Sequence, residues 1–94
     1  MEKKELARLK SRVKTLHKKL AEIGPIMRGT IVELGPNKQV RFSVNMDRKT
    51  RLIYLGKRRE ERAREYSDNY KKLKQIVDEM TEINMILVKN DYPI

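Results

Sequence analysis

The chain has 94 residues, of which 38% are hydrophobic and 38% are charged, with a formal net charge of +10 and no cysteine. This length predicts a single domain over residues 1–94 with a modest core, and the lack of cysteine excludes disulfides and thiolate metal sites. The charged residues after Met1 and the absence of a long apolar run argue against a signal peptide or membrane span. We therefore expect a cytoplasmic protein of a prokaryote, or of a virus in a prokaryotic host.

The positive charge is concentrated in the first part of the chain. Residues 1–59 carry 17 Lys and Arg against 5 Asp and Glu, whereas residues 60–94 carry 6 against 8. Such asymmetry indicates that one face or end of the molecule is directed at an acidic partner.

The first predicted element is a helix over residues 2–23. Its apolar residues are spaced alternately three and four positions apart, an a/d heptad pattern over three heptads. The pattern consists of Leu6, Leu9, Val13, Leu16, Leu20 and Ile23. Gly24 and Pro25 are expected to end the helix, because Gly caps helices and Pro cannot continue one.

Three strands are predicted next, over residues 26–34, 39–46 and 51–55. The middle strand alternates apolar and polar residues, which is typical of a strand with one buried face. Its apolar set is Val40, Phe42, Val44 and Met46. Turn-forming residues separate the strands, so we expect a three-stranded antiparallel meander.

A longer helix is predicted over residues 58–89, followed by a non-helical tail at residues 90–94. Its heptad pattern runs unbroken over four heptads. The positions are Ala63, Tyr66, Tyr70, Leu73, Val77, Met80, Asn84 and Leu87. The predicted fold class is therefore α+β, with the meander between a long N-terminal helix and a long C-terminal heptad helix.

The two heptad patterns predict self-association through a coiled coil or helix bundle. Like charges beside the first seam disfavour parallel self-pairing, so we expect an antiparallel hairpin within each chain that dimerises into a four-helix bundle. Alternatives are that helix 1 packs across a sheet or on another chain, and that both seams close a monomeric core. A buried Asn at Asn84 would fix register and partner number. The predicted dimer interface consists of Tyr70, Leu73, Val77, Met80, Asn84 and Leu87.

Catalytic and metal-binding patterns are absent from the sequence. His17 is the only histidine and lies among lysines without converging ligands, and the Glu60–Glu61 pair suits the start of a helix. There is no nucleophile–base pattern, Gly-rich phosphate loop or HExxH motif. We predict a protein with no enzymatic activity, no cofactor and no metal.

Basic residues of the meander, the start of helix 2 and helix 1 predict nucleic-acid binding. We expect salt-sensitive, mostly sequence-independent contacts to phosphates, with the basic residues of the meander and the start of helix 2 gathered on one side. The predicted binding residues are Arg41, Arg48, Lys49, Arg51, Lys57, Arg58, Arg59, Arg62, Lys10, Lys14 and Lys18. The alternatives are an inhibitor or adaptor that binds an acidic protein surface, and a surface charged only for solvation. The few aromatic residues give little support to single-strand readout by stacking.

Three stretches carry a resemblance: GPIMRGTIVEL, VRFSVNMDRKTRLIYL and NYKKLKQIVDEMTEIN. They resemble a family of small prokaryotic domains of unknown function often found near transposases, whose pattern has an IMRGS strand, a cysteine-rich loop, a YYLS strand, a GKTR turn and a NYRRLK helix. Residues 24–29, 49–51 and 69–74 carry the match. The resemblance implies a fold and a mobile-element setting. The metal site that the family's cysteine-rich loop implies does not transfer, because residues 35–38 (Gly-Pro-Asn-Lys) replace that loop.

Overall fold

The computed structural model describes residues 1–93, in which two helices flank a three-stranded antiparallel sheet. The elements are α1 (Lys3–Glu22), β1 (Thr30–Leu34), β2 (Gln39–Met46), β3 (Lys49–Tyr54) and α2 (Lys57–Lys89). The predicted α+β class is thereby confirmed. None of the described helices is both long enough and apolar enough to cross a membrane.

The chain divides into two compact units, which are described separately below. The sheet unit is Gly24–Lys71, and the helical unit is Met1–Ile23 together with the chain from Lys72 onward. Helix α2 contributes its first half to the sheet unit and its second half to the helical unit. The assignment of residues 1–94 to a single domain stays a prediction, and the end of the predicted tail, Ile94, lies outside the described residues.

In the sheet unit, the strand order is β1-β2-β3, and Ile31, Phe42 and Ile53 lie opposite one another across the three strands. Strand β2 spans the predicted residues 39–46. Its core consists of Val40, Phe42 and Val44 with Leu55 and Ala63, and Met27 and Ile31 pack against it. Met46 was expected in this core but is 45% exposed, because it is the last residue of β2 and pairs with Lys49 beside the turn.

Strand β1 begins at Thr30 rather than at residue 26. The backbone before it is bound by α2 instead of by a neighbouring strand. The Met27 N–H donates to the Tyr66 carbonyl oxygen at 3.1 Å, and the Asn69 amide donates to the Pro25 carbonyl oxygen at 2.9 Å. The hydroxyl of the buried Ser67 donates to the Gly29 carbonyl oxygen at 2.7 Å. Backbone groups satisfied by a helix have no need of a strand partner, which is why this segment is not β.

Strand β3 covers Lys49–Tyr54 instead of residues 51–55. Asp47 and Arg48 adopt positive φ angles of 53° and 63°, which makes a two-residue hairpin turn of the kind that matches the twist of paired strands. The turn is therefore shorter than the four residues predicted. At the other end, the N–H groups of Leu55 and Gly56 both donate to the Val40 carbonyl oxygen, and α2 begins at Lys57.

In the helical unit, α1 packs against α2 of the same chain. The core consists of Leu6, Val13, Leu16, Ile83 and Leu87, and Leu9, Ile76, Met80, Ile86 and Tyr92 pack against it. Arg12 Nε lies 2.6 Å from a carboxylate oxygen of Glu79, whereas the ammonium group of Lys10 lies 5.8 Å from the ring centroid of Tyr92. Because the earlier α1 residue meets the later part of the chain, the two helices are antiparallel, as the charge pattern led us to expect.

The heptad pattern of α2 serves two different partners, and not a single helical seam as predicted. Ala63 packs in the core of the sheet unit, whereas Met80 and Leu87 pack against α1 in the helical unit. Val77, from the same pattern, is 44% exposed. Spacings of three and four residues place side chains on one stripe of a helix, but they do not identify what the stripe contacts.

Candidate nucleic-acid interface

The basic residues of the strands lie on both faces of the sheet, so the prediction that they gather on one side is wrong. Arg41 lies between Val32 and Tyr54 in the register, on the face opposite the core. Arg51 lies opposite Val44 and therefore shares the core face. Successive residues of a strand point to opposite faces, so residues 41 and 44 lie on opposite faces of the sheet. A residue paired with either of them on a neighbouring strand lies on the same face as its partner.

The outer face of the sheet is more apolar than the sequence suggested. Leu34, Leu52 and Tyr54 lie on it and are 41%, 48% and 59% exposed. Arg41 is half-buried among them and donates a hydrogen bond to Gln39 Oε1 at 2.8 Å, while its Nε is buried without a hydrogen-bond partner within residues 1–93. Arg41 is thus held against the sheet, which makes it a poorer phosphate contact than a free surface arginine.

Three cations lie at the β2–β3 turn, and we call them the hairpin cations: Arg28, Arg48 and Lys49. Arg48 and Lys49 are exposed in and beside the turn. Arg28 reaches the same end of the hairpin, because its guanidinium donates to the Asn45 carbonyl oxygen at 2.6 Å. Sequence reasoning missed Arg28, since its position depends on how the segment before β1 crosses to the end of β2.

The first turns of α2 form one wall of a cleft of about 430 Å³, which we call the arginine cleft. Its lining consists of Met27, Leu55, Arg58, Arg59, Arg62, Ala63 and Tyr66. Leu55 and Ala63 are buried, and Met27 and Tyr66 are half-buried. The cleft therefore combines an apolar floor with arginines at its edge. Tyr66, expected in a helical seam, is one of its walls.

The arginines of the cleft have different roles. Arg59 donates to the Leu55 carbonyl oxygen at 2.9 Å and so holds the junction between β3 and α2. Arg58 and Arg62 are exposed and, being four residues apart on α2, lie on the same face of the helix. Lys57, the first residue of α2, is also exposed.

None of the predicted binding residues forms an ion pair with a carboxylate of residues 1–93. In the part of the chain that the structure describes, the ion pairs are Arg12–Glu79, Arg64–Glu60 and Lys71–Asp68. None of these pairs involves a predicted binding residue, and no residue lining the arginine cleft is acidic. The positive charge of this surface is therefore available to an anionic ligand.

The predicted cations of α1 belong to the helical unit and form a row with four-residue spacing. Lys14 and Lys18 are exposed. Lys10 is half-buried and lies near the Tyr92 ring, a cation–π arrangement that ties it to the tail of the chain. Of the three residues, Lys14 and Lys18 are the better candidates for phosphate contacts.

The predicted dimer interface is divided between buried and exposed positions. Leu87 is fully buried in the intrachain core, Met80 packs against that core, and Tyr70 and Leu73 are half-buried.

Two apolar residues of α2 outside the predicted interface are also exposed, since Met85 and Val88 are each 63% exposed. Asn84 is half-buried, and its Oδ1 is buried without a hydrogen-bond partner in residues 1–93. We call Val77, Asn84, Met85 and Val88 the α2 strip.

Metal-ligating side chains do not converge in the part of the chain that the structure describes. Over residues 1–93 there is no group of three or more His, Cys, Asp or Glu residues that could hold a metal ion. His17 is exposed on α1. The arrangements that the structure does show are cationic and apolar, and these suit binding of an anionic partner.

Comparison of the chain with protein-family models, with curated proteins and with solved structures finds no match. The resemblance to the small prokaryotic family of the IMRGS pattern therefore stays a prediction. Of its matched residues, Pro25, Met27 and Gly29 before β1 and Asn69 on α2 take part in the hydrogen bonds that join this segment to α2.

Proposed function

We propose that the chain is a non-enzymatic, dimeric accessory protein of the cytoplasm that binds nucleic acid mainly through the phosphate backbone. The observation that carries the proposal is the set of exposed cations of the sheet unit that form no ion pair within residues 1–93. Each phosphate that such a cation neutralises releases counterions, which favours binding without reading the base sequence. The resemblance to a family found near transposases supports a viral or mobile-element setting for this activity.

The placement of the cations along β3 supports a contact with several phosphates. Lys49 begins the strand, and Lys57 and Arg58 follow soon after it ends. A six-residue strand spans roughly 20 Å. Cations near the two ends of β3 are therefore far enough apart to contact different phosphates of one ligand.

The α2 strip supports self-association with a second copy of the chain as the occupant. Val77, Met85 and Val88 leave apolar area exposed on one side of α2. The chain from Lys72 onward carries three basic and four acidic residues, a net charge of −1, whereas the rest of the chain carries +11. Two strongly basic molecules therefore approach with least repulsion through this part of α2.

Purification with and without nuclease tests the nucleic-acid proposal. We expect the untreated protein to carry nucleic acid, seen as a raised ratio of absorbance at 260 nm to that at 280 nm. We expect the treated protein to retard generic duplex DNA or RNA in a gel at low salt and to release it as salt rises. Failure to retard either duplex at low salt would overturn the proposal.

A second candidate function is a protein-interaction module, an inhibitor or adaptor that binds an acidic protein surface. It is favoured by the exposed apolar side chains of the edge strand β3, since Leu52, Ile53 and Tyr54 are 48%, 49% and 59% exposed. An edge strand offers unpaired backbone groups to an incoming strand, and Arg51 and Lys49 would select an acidic one. Capture of one acidic protein that persists after nuclease treatment, together with no duplex binding, would favour this function over the first.

A further inference from the structure

We propose that the arginine cleft takes one unpaired nucleotide of the bound nucleic acid. Its base lies on the apolar floor, and its phosphates lie on Arg58 and Arg62. The inference rests on the proposed function and deepens it, because it names the part of the ligand that one site receives. It also implies a preference for ends, bulges or frayed pairs over an intact duplex.

The size of the cleft is compatible with a single nucleotide. Its volume of about 430 Å³ lies in the range of roughly 300–1,000 Å³ that small-molecule sites occupy. A duplex is too wide to enter such a space, whereas one base that has left its stack can do so.

The floor of the cleft suits the flat, weakly polar face of a base. Leu55 and Ala63 are 9% and 4% exposed and close the bottom, and Met27 contributes a flexible thioether beside them. Tyr66 supplies an aromatic ring in the wall. Unstacked bases are commonly held between aromatic and apolar side chains, because every base has a π face to contact.

The edge of the cleft suits phosphate. Arg58 and Arg62 lie one helical turn apart, are exposed, and take part in none of the ion pairs shown by residues 1–93. A guanidinium group binds phosphate oxygens in a planar, two-bond arrangement, which makes arginine better suited to this task than lysine. Because the lining contains no carboxylate, an anion is favoured over a cation or a neutral ligand.

Three labelled oligonucleotides test the inference in one anisotropy titration of the full chain. The first is a blunt duplex, the second adds one unpaired nucleotide at a 3′ end, and the third carries an abasic unit in that place. We expect the unpaired nucleotide to bind about tenfold more tightly than the blunt end, since a held base adds stacking energy. The abasic unit keeps the phosphate and should lose most of that gain.

Two variants of equal charge separate the cleft from the general basic surface. Arg62→Gln should abolish the preference, so that the unpaired nucleotide and the blunt end bind with about equal affinity. Lys49→Gln removes the same charge outside the cleft and serves as the control. Lys49→Gln should weaken all three ligands alike and keep the preference, since it removes one phosphate contact. Circular dichroism and thermal melting of each variant establish that the fold is retained.

Equal affinity for the blunt and unpaired ends would overturn the inference while leaving backbone binding intact. The same holds if the preference survives in Arg62→Gln or with the abasic unit. If none of the three ligands binds, the proposed function itself is overturned, and the inference with it.

Discussion

At the residue scale, Gly29 shows a requirement that no pattern in the sequence announces. A Cβ atom added there would overlap the Phe42 ring and lie 2.5 Å from the Ser43 carbonyl oxygen. Gly29 therefore allows the segment before β1 to pass close to β2. The same segment is held by Ser67 and Asn69, two polar residues of α2 that we had not selected from the sequence.

Replacing Gly29 with alanine should lower the free energy of unfolding by about 1–3 kcal/mol, because the added methyl group forces the Phe42 ring or the backbone to move. Urea unfolding followed by circular dichroism measures the change. Gly24→Ala is the matched control, since its added Cβ would meet only the Asn69 amide at an ordinary 3.5 Å. Equal stability of Gly29→Ala and the wild type would show that the close approach to Phe42 is not maintained in solution.

The Arg12–Glu79 pair predicts a specific dependence of stability on pH. The hydrogen bond from Arg12 is the main reason that the pKa of Glu79 lies below its ordinary value. A lowered pKa in the folded state stabilises the fold above the ordinary pKa of a glutamate, and that stabilisation is lost as pH falls through the folded value. Wild type should therefore lose more stability than Glu79→Gln when melted at acid pH relative to neutral pH.

Glu82→Gln serves as the control for this comparison, because Glu82 is exposed on the same helix and takes part in none of the ion pairs within residues 1–93. It should show the pH dependence of the wild type. Identical acid sensitivity of Glu79→Gln and the wild type would mean that the pair contributes nothing in solution. The effect should be small and should weaken with salt, since both side chains are exposed.

At the element scale, regular patterns predicted well where one partner covers one face. Apolar and polar residues alternate along β2 because one face of the strand packs in the core of the sheet unit, which includes a residue of α2. The range of β2 and its buried face could therefore be predicted from the sequence. The start of β1 could not, because the donors that bind it come from α2, far along the chain. Helix α2 was recognised, but its heptads were assigned to one seam although two units use them.

Substitution of Leu87 tests whether the second half of α2 packs in an intrachain core or in a dimer interface. It is 0% exposed within one chain, so Leu87→Ala should cost about 2–5 kcal/mol in the free energy of unfolding. The loss should not depend on protein concentration. Val88→Ala, at a neighbouring position that is 63% exposed, should stay within about 0.5 kcal/mol at low protein concentration. A loss for Leu87→Ala that appears only at concentrations where the protein associates would contradict the intrachain assignment.

At the scale of the whole molecule, the proposed binding cations and the α2 strip belong to different segments of the chain. The basic residues that we propose for nucleic acid are concentrated in the sheet unit and on α1, whereas the α2 strip belongs to a nearly neutral stretch. Apart from Arg28, these basic residues are selected from the sequence alone, and their role in binding stays a prediction. The face of the sheet on which each strand residue lies could not be predicted, because the register of the strands places Arg41 and Arg51 on opposite faces. The arginine cleft could not be predicted either, because its lining includes Met27 from a distant segment.

If a second copy of the chain binds the α2 strip, introducing a charge into the strip should weaken dimerisation. Val88→Glu should raise the dimer dissociation constant about tenfold or more, because burial of a valine is worth about 1.5 kcal/mol or more. Sedimentation equilibrium measures it, with Ala7→Glu, exposed on α1, as the control for charge. Asn84→Leu should change the oligomeric state as well. A wild-type chain that sediments at 11.2 kDa at micromolar concentration would refute the dimer.

The dependence of duplex affinity on salt tests the central claim, that the exposed cations of the sheet unit bind phosphates. The logarithm of the affinity of the wild type for a generic duplex should fall linearly with the logarithm of salt concentration. In a triple variant (Lys57→Gln, Arg58→Gln and Arg62→Gln) the slope should be smaller by about two to three units, since each phosphate contact contributes about 0.9. An affinity of the wild type that is independent of salt, or a triple variant with the slope of the wild type, would contradict the claim.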